Sequence, residues 1–349
     1  MLEGLRRPTP ARRRIQCSTM PEVRYHNRRA RQIENDQVRV TVTVEGGHIA
    51  EILHKPSGVN PLWTPPWPSI EPSTYNQAAH PEYGNDAESK LLAGIFGHNL
   101  CLGIFGPPSP EEARAGLTVH GEASIAPYEI ETSASELLSR TQLPAAQLAF
   151  ERRIRLEPNG VLRISESVEN LAALDIPIAW TQHVTMGPPF LEKGRTQFRA
   201  PGTRSRTLDG RDFEWPGDLE VFPDSPSSGR FATTLMDPHR EQAYFLAFSP
   251  SARVLFGYVW KRADFPWLGV WEENYSRKNP PWNGRTLTRG MEFGVSPMPE
   301  PRRQMIERNS LFGTPAYRWL PARSKARAEY LAFIQPADRI PDEPQPGLF

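Results

Sequence analysis

The sequence predicts an all-β fold, a large antiparallel β-sandwich with a few short helices. Apolar and polar residues alternate in short runs, the period of a strand with one buried side. Turn-forming Gly, Pro, Asn and Asp separate the runs at nearly every step. With 37 prolines in 349 residues, long helices have little room.

Taken in order, residues 1–20 read as a disordered basic tail: Arg6, Arg7, Arg12, Arg13 and Arg14 fall close together with no apolar stretch beside them. One domain is expected over residues 21–340, with a short tail at 341–349. Residues 38–44 alternate strictly and form a strand. Glu45-Gly46-Gly47 makes a tight turn, and residues 48–54 return as its partner. Residues 56–90, rich in Pro, Asn, Ser and Trp, are a long irregular excursion of the kind that is usually functional. A strand follows within 94–105. Ser109-Pro110-Glu111-Glu112 opens a helix that Gly116 soon stops. Residues 117–122 alternate again, with Thr118, His120 and Glu122 on one side.

Residues 148–156 and 161–168 are strands joined at Pro158-Asn159-Gly160. Residues 176–186 form the most informative strand. Ile176, Ile178, Trp180, Val184 and Met186 share an apolar side broken only by Gln182; Ala179, Thr181, His183 and Thr185 share the other. The 192–230 stretch is polar and turn-rich. Short strands are expected at 243–248, 254–259 and 267–272, a brief helix at 301–308, and a closing strand at 326–334.

The totals exclude some functions. A net charge of +1 gives no general electrostatic case for nucleic acid or an anionic membrane. No apolar run approaches the ~20 residues of a membrane span. No secretory signal is visible, so a cytoplasmic protein is expected. Cys17 and Cys101 are too few and too far apart for a disulfide framework or a paired-cysteine metal site.

Three stretches place ionisable groups on strands that also have an apolar side: Val119-His120-Gly121-Glu122, Gln182-His183-Val184 and Trp271-Glu272-Glu273-Asn274. Two imidazoles and a carboxylate suffice for proton transfer near neutral pH. Trp63, Trp67, Trp267, Trp271 and Trp282 lie in or beside turns, where indoles stack on sugar rings or simply fill a core. A metal site from His98, His120, His183 and a carboxylate is an alternative use of the same residue types, although no two show short metal-ligand spacing.

The ordered set of motifs resembles the aldose 1-epimerase, or galactose mutarotase-like, superfamily. Glu45-Gly46-Gly47-His48-Ile49 is similar to its opening hairpin, Val119-His120-Gly121 to its histidine-glycine signature, residues 170–183 to the strand that leads to its second histidine, and Trp271-Glu272-Glu273-Asn274 to its late carboxylate. The resemblance implies a β-supersandwich, a small-molecule sugar on a concave sheet face, no cofactor and no metal. It implies that His183 is the general acid, that Glu272 is the base with Glu273 as rival, and that His120 binds and polarises the substrate. His98, Asn99, Trp271 and Asp212 are the further substrate-binding candidates. Gly97-His98-Asn99 stands where the family keeps an arginine, and Asp209 competes with Asp212 for a mid-chain aspartate. Non-catalytic sugar binding on the same scaffold is the second reading.

Overall fold

The computed structural model describes residues 22–345; the basic tail at 1–20 lies outside them. Two large antiparallel sheets face each other. The twelve-stranded sheet runs Val23–Tyr25, Arg28–Glu34, Val38–Thr43, Ile49–His54, His98–Gly103, Ile176–Met186, Leu287–Gly294, Trp267–Asn274, Ser228–Met236, Gly202–Thr207 and Asp212–Glu214, with Arg318–Leu320 added beside the start of Ile176–Met186. The eight-stranded sheet runs Gln197–Arg199, Gln242–Ser249, Val254–Lys261, Lys325–Pro336, Val161–Asn170, Leu148–Leu156, Glu136–Leu143 and Glu129–Thr132.

The alternating runs explain both sheets. Val38, Val40 and Val42 meet Leu162, Ile164 and Val168 in one continuous core between them. The turn at Gly46 and Gly47 needs its glycines, whose φ angles are +80° and +57°. A Cβ on Gly46 would come 2.5 Å from the Ser124 carbonyl oxygen. The short helix is Pro110–Arg114, opened by a complete capping box from Ser109 and Glu112.

Gln182, the break in the apolar side of its strand, is answered across the sandwich. Its amide donates to Glu166 at 2.6 Å, and Glu166 also accepts from Arg152 Nε at 2.7 Å, Trp180 Nε1 at 2.9 Å and the Tyr330 hydroxyl at 2.7 Å. A buried polar group is tolerated when so fully paired, and this network ties the two sheets together.

The structure departs from the sequence expectation at several points that bear on the site. Residues 117–122 are not a strand: they form a turn and enter a 3-10 helix at Glu122–Ser124, and His120 takes the left-handed conformation at φ 69°. The Ile176–Met186 strand is buried on both sides from residue 178 onward, because the excursion and a late segment cover its polar face. Ser228–Met236 and Leu287–Gly294 are central strands that the alternation did not single out.

Candidate functional site

The polar side of the Ile176–Met186 strand sits in the middle of the larger sheet, and its neighbours are fixed by register. His183 lies opposite Asn99 on one side and Glu292 on the other. Glu292 lies opposite Gly269, and Gly269 opposite Thr233. Side chains at directly opposed positions share a face. Asn99, His183, Glu292 and Thr233 therefore form one row across five strands, with Gly269 as the gap between the last two.

The rows on either side are mostly apolar and covered. Toward one end, Cys101, Trp267 and Leu235 pack with Ala179, Phe231, Met298, Met305 and Leu311, so the late segment roofs that part of the sheet. Toward the other, Trp271 borders a cluster of Trp63, Trp67 and Trp282 from the excursion and a later loop. The polar row lies in the slot between. Its polar atoms are largely unpaired: both amide atoms of Asn99, the Thr233 hydroxyl and Glu292 Oε1 are buried without a hydrogen-bond partner, as is the hydroxyl of Thr181 in the row beside it. Each such group costs about 1–3 kcal/mol unless something fills its valence.

At the centre, His183 Nε2 stands 3.2 Å from Glu292 Oε1. The contact is close but not aligned as a hydrogen bond, which is why Oε1 remains unpartnered. His183 Nδ1 is held by Thr185 Oγ1 at 2.9 Å. The His120 ring is 4.8 Å from the His183 ring, and Trp271 is 5.9 Å away on the same side. His120 Nδ1 donates to the Phe105 carbonyl at 2.7 Å, so Nε2 is left as the acceptor. The left-handed backbone at His120 is strain of the kind held at binding sites.

Burial governs the ionisation. It pushes the Glu292 carboxyl up to about 8. It pulls His120 down to about 4, with nearby Arg277 adding to the effect. It holds His183 well below the ordinary imidazole value, with His120 adding to the effect. At neutral pH the two rings are uncharged and Glu292 carries the proton.

Glycine makes room for this arrangement. A Cβ on Gly290 would come 2.4 Å from Glu292 Oε1, and one on Gly294 would come 2.3 Å from the Thr181 hydroxyl. The pattern Gly290-x-Glu292-x-Gly294 puts small residues on either side of one glutamate along a strand face, a mark of close approach. That pattern was the one signal in the sequence able to reveal Glu292, which sequence reasoning missed.

The architecture has counterparts among solved structures. Over 89% of this chain and 80% of the other it matches a candidate aldose 1-epimerase of Klebsiella pneumoniae subsp. pneumoniae, with a TM-score of 0.68 and 16% identity. A galactose mutarotase-like protein of Clostridium acetobutylicum matches over 90% and 98% of the two chains, with a TM-score of 0.62 and 13% identity. A galactose mutarotase related enzyme of Lactobacillus acidophilus matches over 89% and 99%, with a TM-score of 0.58 and 14% identity. The chain has the galactose mutarotase-like fold. No protein-family model matches the sequence, and no curated protein is similar to it.

On the mutarotase-like sheet the predicted residues separate into two groups. His183, His120, Asn99 and Trp271 come together as described. The others do not join them. Glu272 points to the opposite face, into the core, where it is fully buried between Arg230 Nε at 2.5 Å and Arg289. Asn274 shares that face and donates to the Ser225 carbonyl at 2.8 Å. Glu273 is on the Trp271 side, but its carboxylate accepts from Ser276 N and Oγ, both at 2.6 Å, and from Arg277 N at 2.9 Å. It serves as a turn cap.

His98, one residue before Asn99, necessarily faces the other way. It pairs with the Tyr258 hydroxyl and Gln182 Oε1, each at 3.0 Å, inside the core. This also dissolves the metal set built on it; among the described residues no group of three or more His, Cys, Asp or Glu is placed to hold an ion. Asp212 lies on the edge strand, paired with Arg206 at 2.5 Å, and Asp209 is in an exposed turn bonded to Thr207. Of the five tryptophans, Trp63, Trp67, Trp267 and Trp282 are core residues; Trp63 and Trp282 stack with centroids 6.0 Å apart. Trp271 alone is partly exposed.

Proposed function

We propose that the protein is a cofactor-free carbohydrate epimerase that interconverts aldose anomers, with the slot around His183 and Glu292 as its active site. The observation that carries this reading is the imidazole–carboxyl pair itself, His183 Nε2 and Glu292 Oε1 standing 3.2 Å apart beside His120 and Trp271. Anomer exchange needs one proton delivered to the ring oxygen and one removed from the anomeric hydroxyl. The pair holds one proton and one vacant lone pair. The Glu292 carboxyl gives its proton to the ring oxygen while an unprotonated imidazole nitrogen, His183 Nε2, takes the anomeric one. The ring bond breaks and the C1–C2 bond rotates. Closure on the other face returns both protons. These roles are the reverse of those the family resemblance implies, because burial leaves the imidazole neutral and the acid protonated. Asn99, Thr181 and Thr233 offer unpaired amide and hydroxyl groups to the sugar's hydroxyls, and Trp271 offers its indole face.

Polarimetry of freshly dissolved aldoses tests the reading. The wild-type protein is expected to accelerate equilibration of at least one sugar, and His183→Gln to abolish the acceleration with the fold unchanged by circular dichroism. No acceleration across a panel of aldoses would sink it. Non-catalytic sugar binding is the second reading, favoured by the burial of Glu272 and the capping of Glu273. A Glu292→Gln variant that binds sugar as the wild type does, with no catalysis lost because none existed, would establish it.

A further inference from the structure

The slot's solvent side is marked by a charged group set against indoles. The Arg277 guanidinium lies 4.6 Å from the Trp282 ring and 5.5 Å from the Trp271 ring, and Trp271 is the indole beside His183. Its charge reaches His120. The side chain is 37% exposed, enough to meet a ligand arriving from solvent. Arg277 is thus placed to contact whatever part of a sugar projects outward from the proton-transfer pair.

That cation is already engaged. Nη1 pairs with both carboxylate oxygens of Glu88, each at 3.2 Å, and Nε is 3.9 Å from Glu273 Oε2. Glu88 comes from the start of the short helix Ser89–Leu92 at the end of the excursion, 189 residues away in the chain. One positive charge therefore stands against two negative ones. Deeper in, the unpaired side chains of Asn99, Thr181 and Thr233 are uncharged.

We propose that the Glu88–Arg277 ion pair is a charge filter, which admits uncharged sugars to the slot and turns away phosphorylated or carboxylated ones. The filter rests on the sugar-binding reading given above and adds its substrate class. An anionic substituent meets a guanidinium already engaged by two carboxylates, and it gains no free partner there for the hydration it gives up. Discrimination comes from this unfavourable encounter rather than from extra contacts to the preferred sugar.

Titration calorimetry with D-glucose and D-galactose against their 6-phosphates, on the full-length protein, tests it. Wild type is expected to bind a neutral hexose about tenfold or more tightly than its 6-phosphate. Glu88→Gln frees the guanidinium and is expected to tighten the 6-phosphate about fivefold while leaving the neutral sugar unchanged. The double variant Glu88→Gln/Arg277→Gln is expected to lose that gain, which ties it to the guanidinium and not to a loosened loop. Preference of the wild type for the 6-phosphate, or no gain in Glu88→Gln, overturns the filter and leaves the epimerase reading standing. Binding of neither sugar form overturns both.

Discussion

A single carboxylate at position 292 separates two roles that the sequence could not tell apart from those at 272 and 273. Glu292 has its folded-state ionisation raised to about 8 from an ordinary 4.5. Between those values the unfolded chain releases this proton and the folded chain keeps it, so stability falls as pH rises through that window. Glu292→Gln keeps the shape without the ionisation. It is expected to abolish anomer exchange yet raise the melting temperature, with a larger gain at pH 8 than at pH 5. Scanning calorimetry at the two pH values checks this; an equal gain at both would show that the carboxyl titrates normally. Glu272 predicts the opposite. Its removal leaves Arg289 buried without its carboxylate partner, so Glu272→Ala is expected to cost about 3–5 kcal/mol in urea unfolding. Residue identity alone made all three acids equal; which way each side chain points, and what meets it, made them different.

The element that matters most is the Leu287–Gly294 strand, which carries Glu292 between two glycines. Its alternation was hard to see because Arg289 interrupts the apolar side of Leu287, Met291 and Phe293, and glycines dilute the other. Gly290→Ala would set a methyl 2.4 Å from Glu292 Oε1. The carboxylate must then swing away, and a displacement of that size is expected to lower the rate of anomer exchange by about tenfold or more, with the fold retained. Unchanged activity would show that the carboxylate need not sit where it does. The Ile176–Met186 strand, by contrast, was legible at once: its period of two, broken only by Gln182, fixed His183 on the side opposite Trp180 and Val184. The 117–122 stretch alternated as well, yet became a turn, because His120 is held at positive φ and bonded to the Phe105 carbonyl. Short alternation without a pairing partner does not make a strand.

Among the described residues, five histidines are depressed in the same direction by burial. His48 falls to about 3 and His120 to about 4, His98 and His183 fall well below the ordinary value, and His54 falls below it. As pH falls below 6.5 the unfolded chain takes up protons that the folded chain refuses, so folding stability drops between about pH 6.5 and 4. The urea midpoint is expected to fall steeply over that range; a flat profile would show that the rings accept protons in place. The sequence by itself determined the class of fold and the order of its main strands along the chain, since those follow from local period and residue type. Only the tertiary structure decided which carboxylate meets His183, which tryptophan stays open and that His98 turns inward. Those outcomes depend on cross-strand register and on packing between segments that local periodicity does not connect, and alternation carries no record of register.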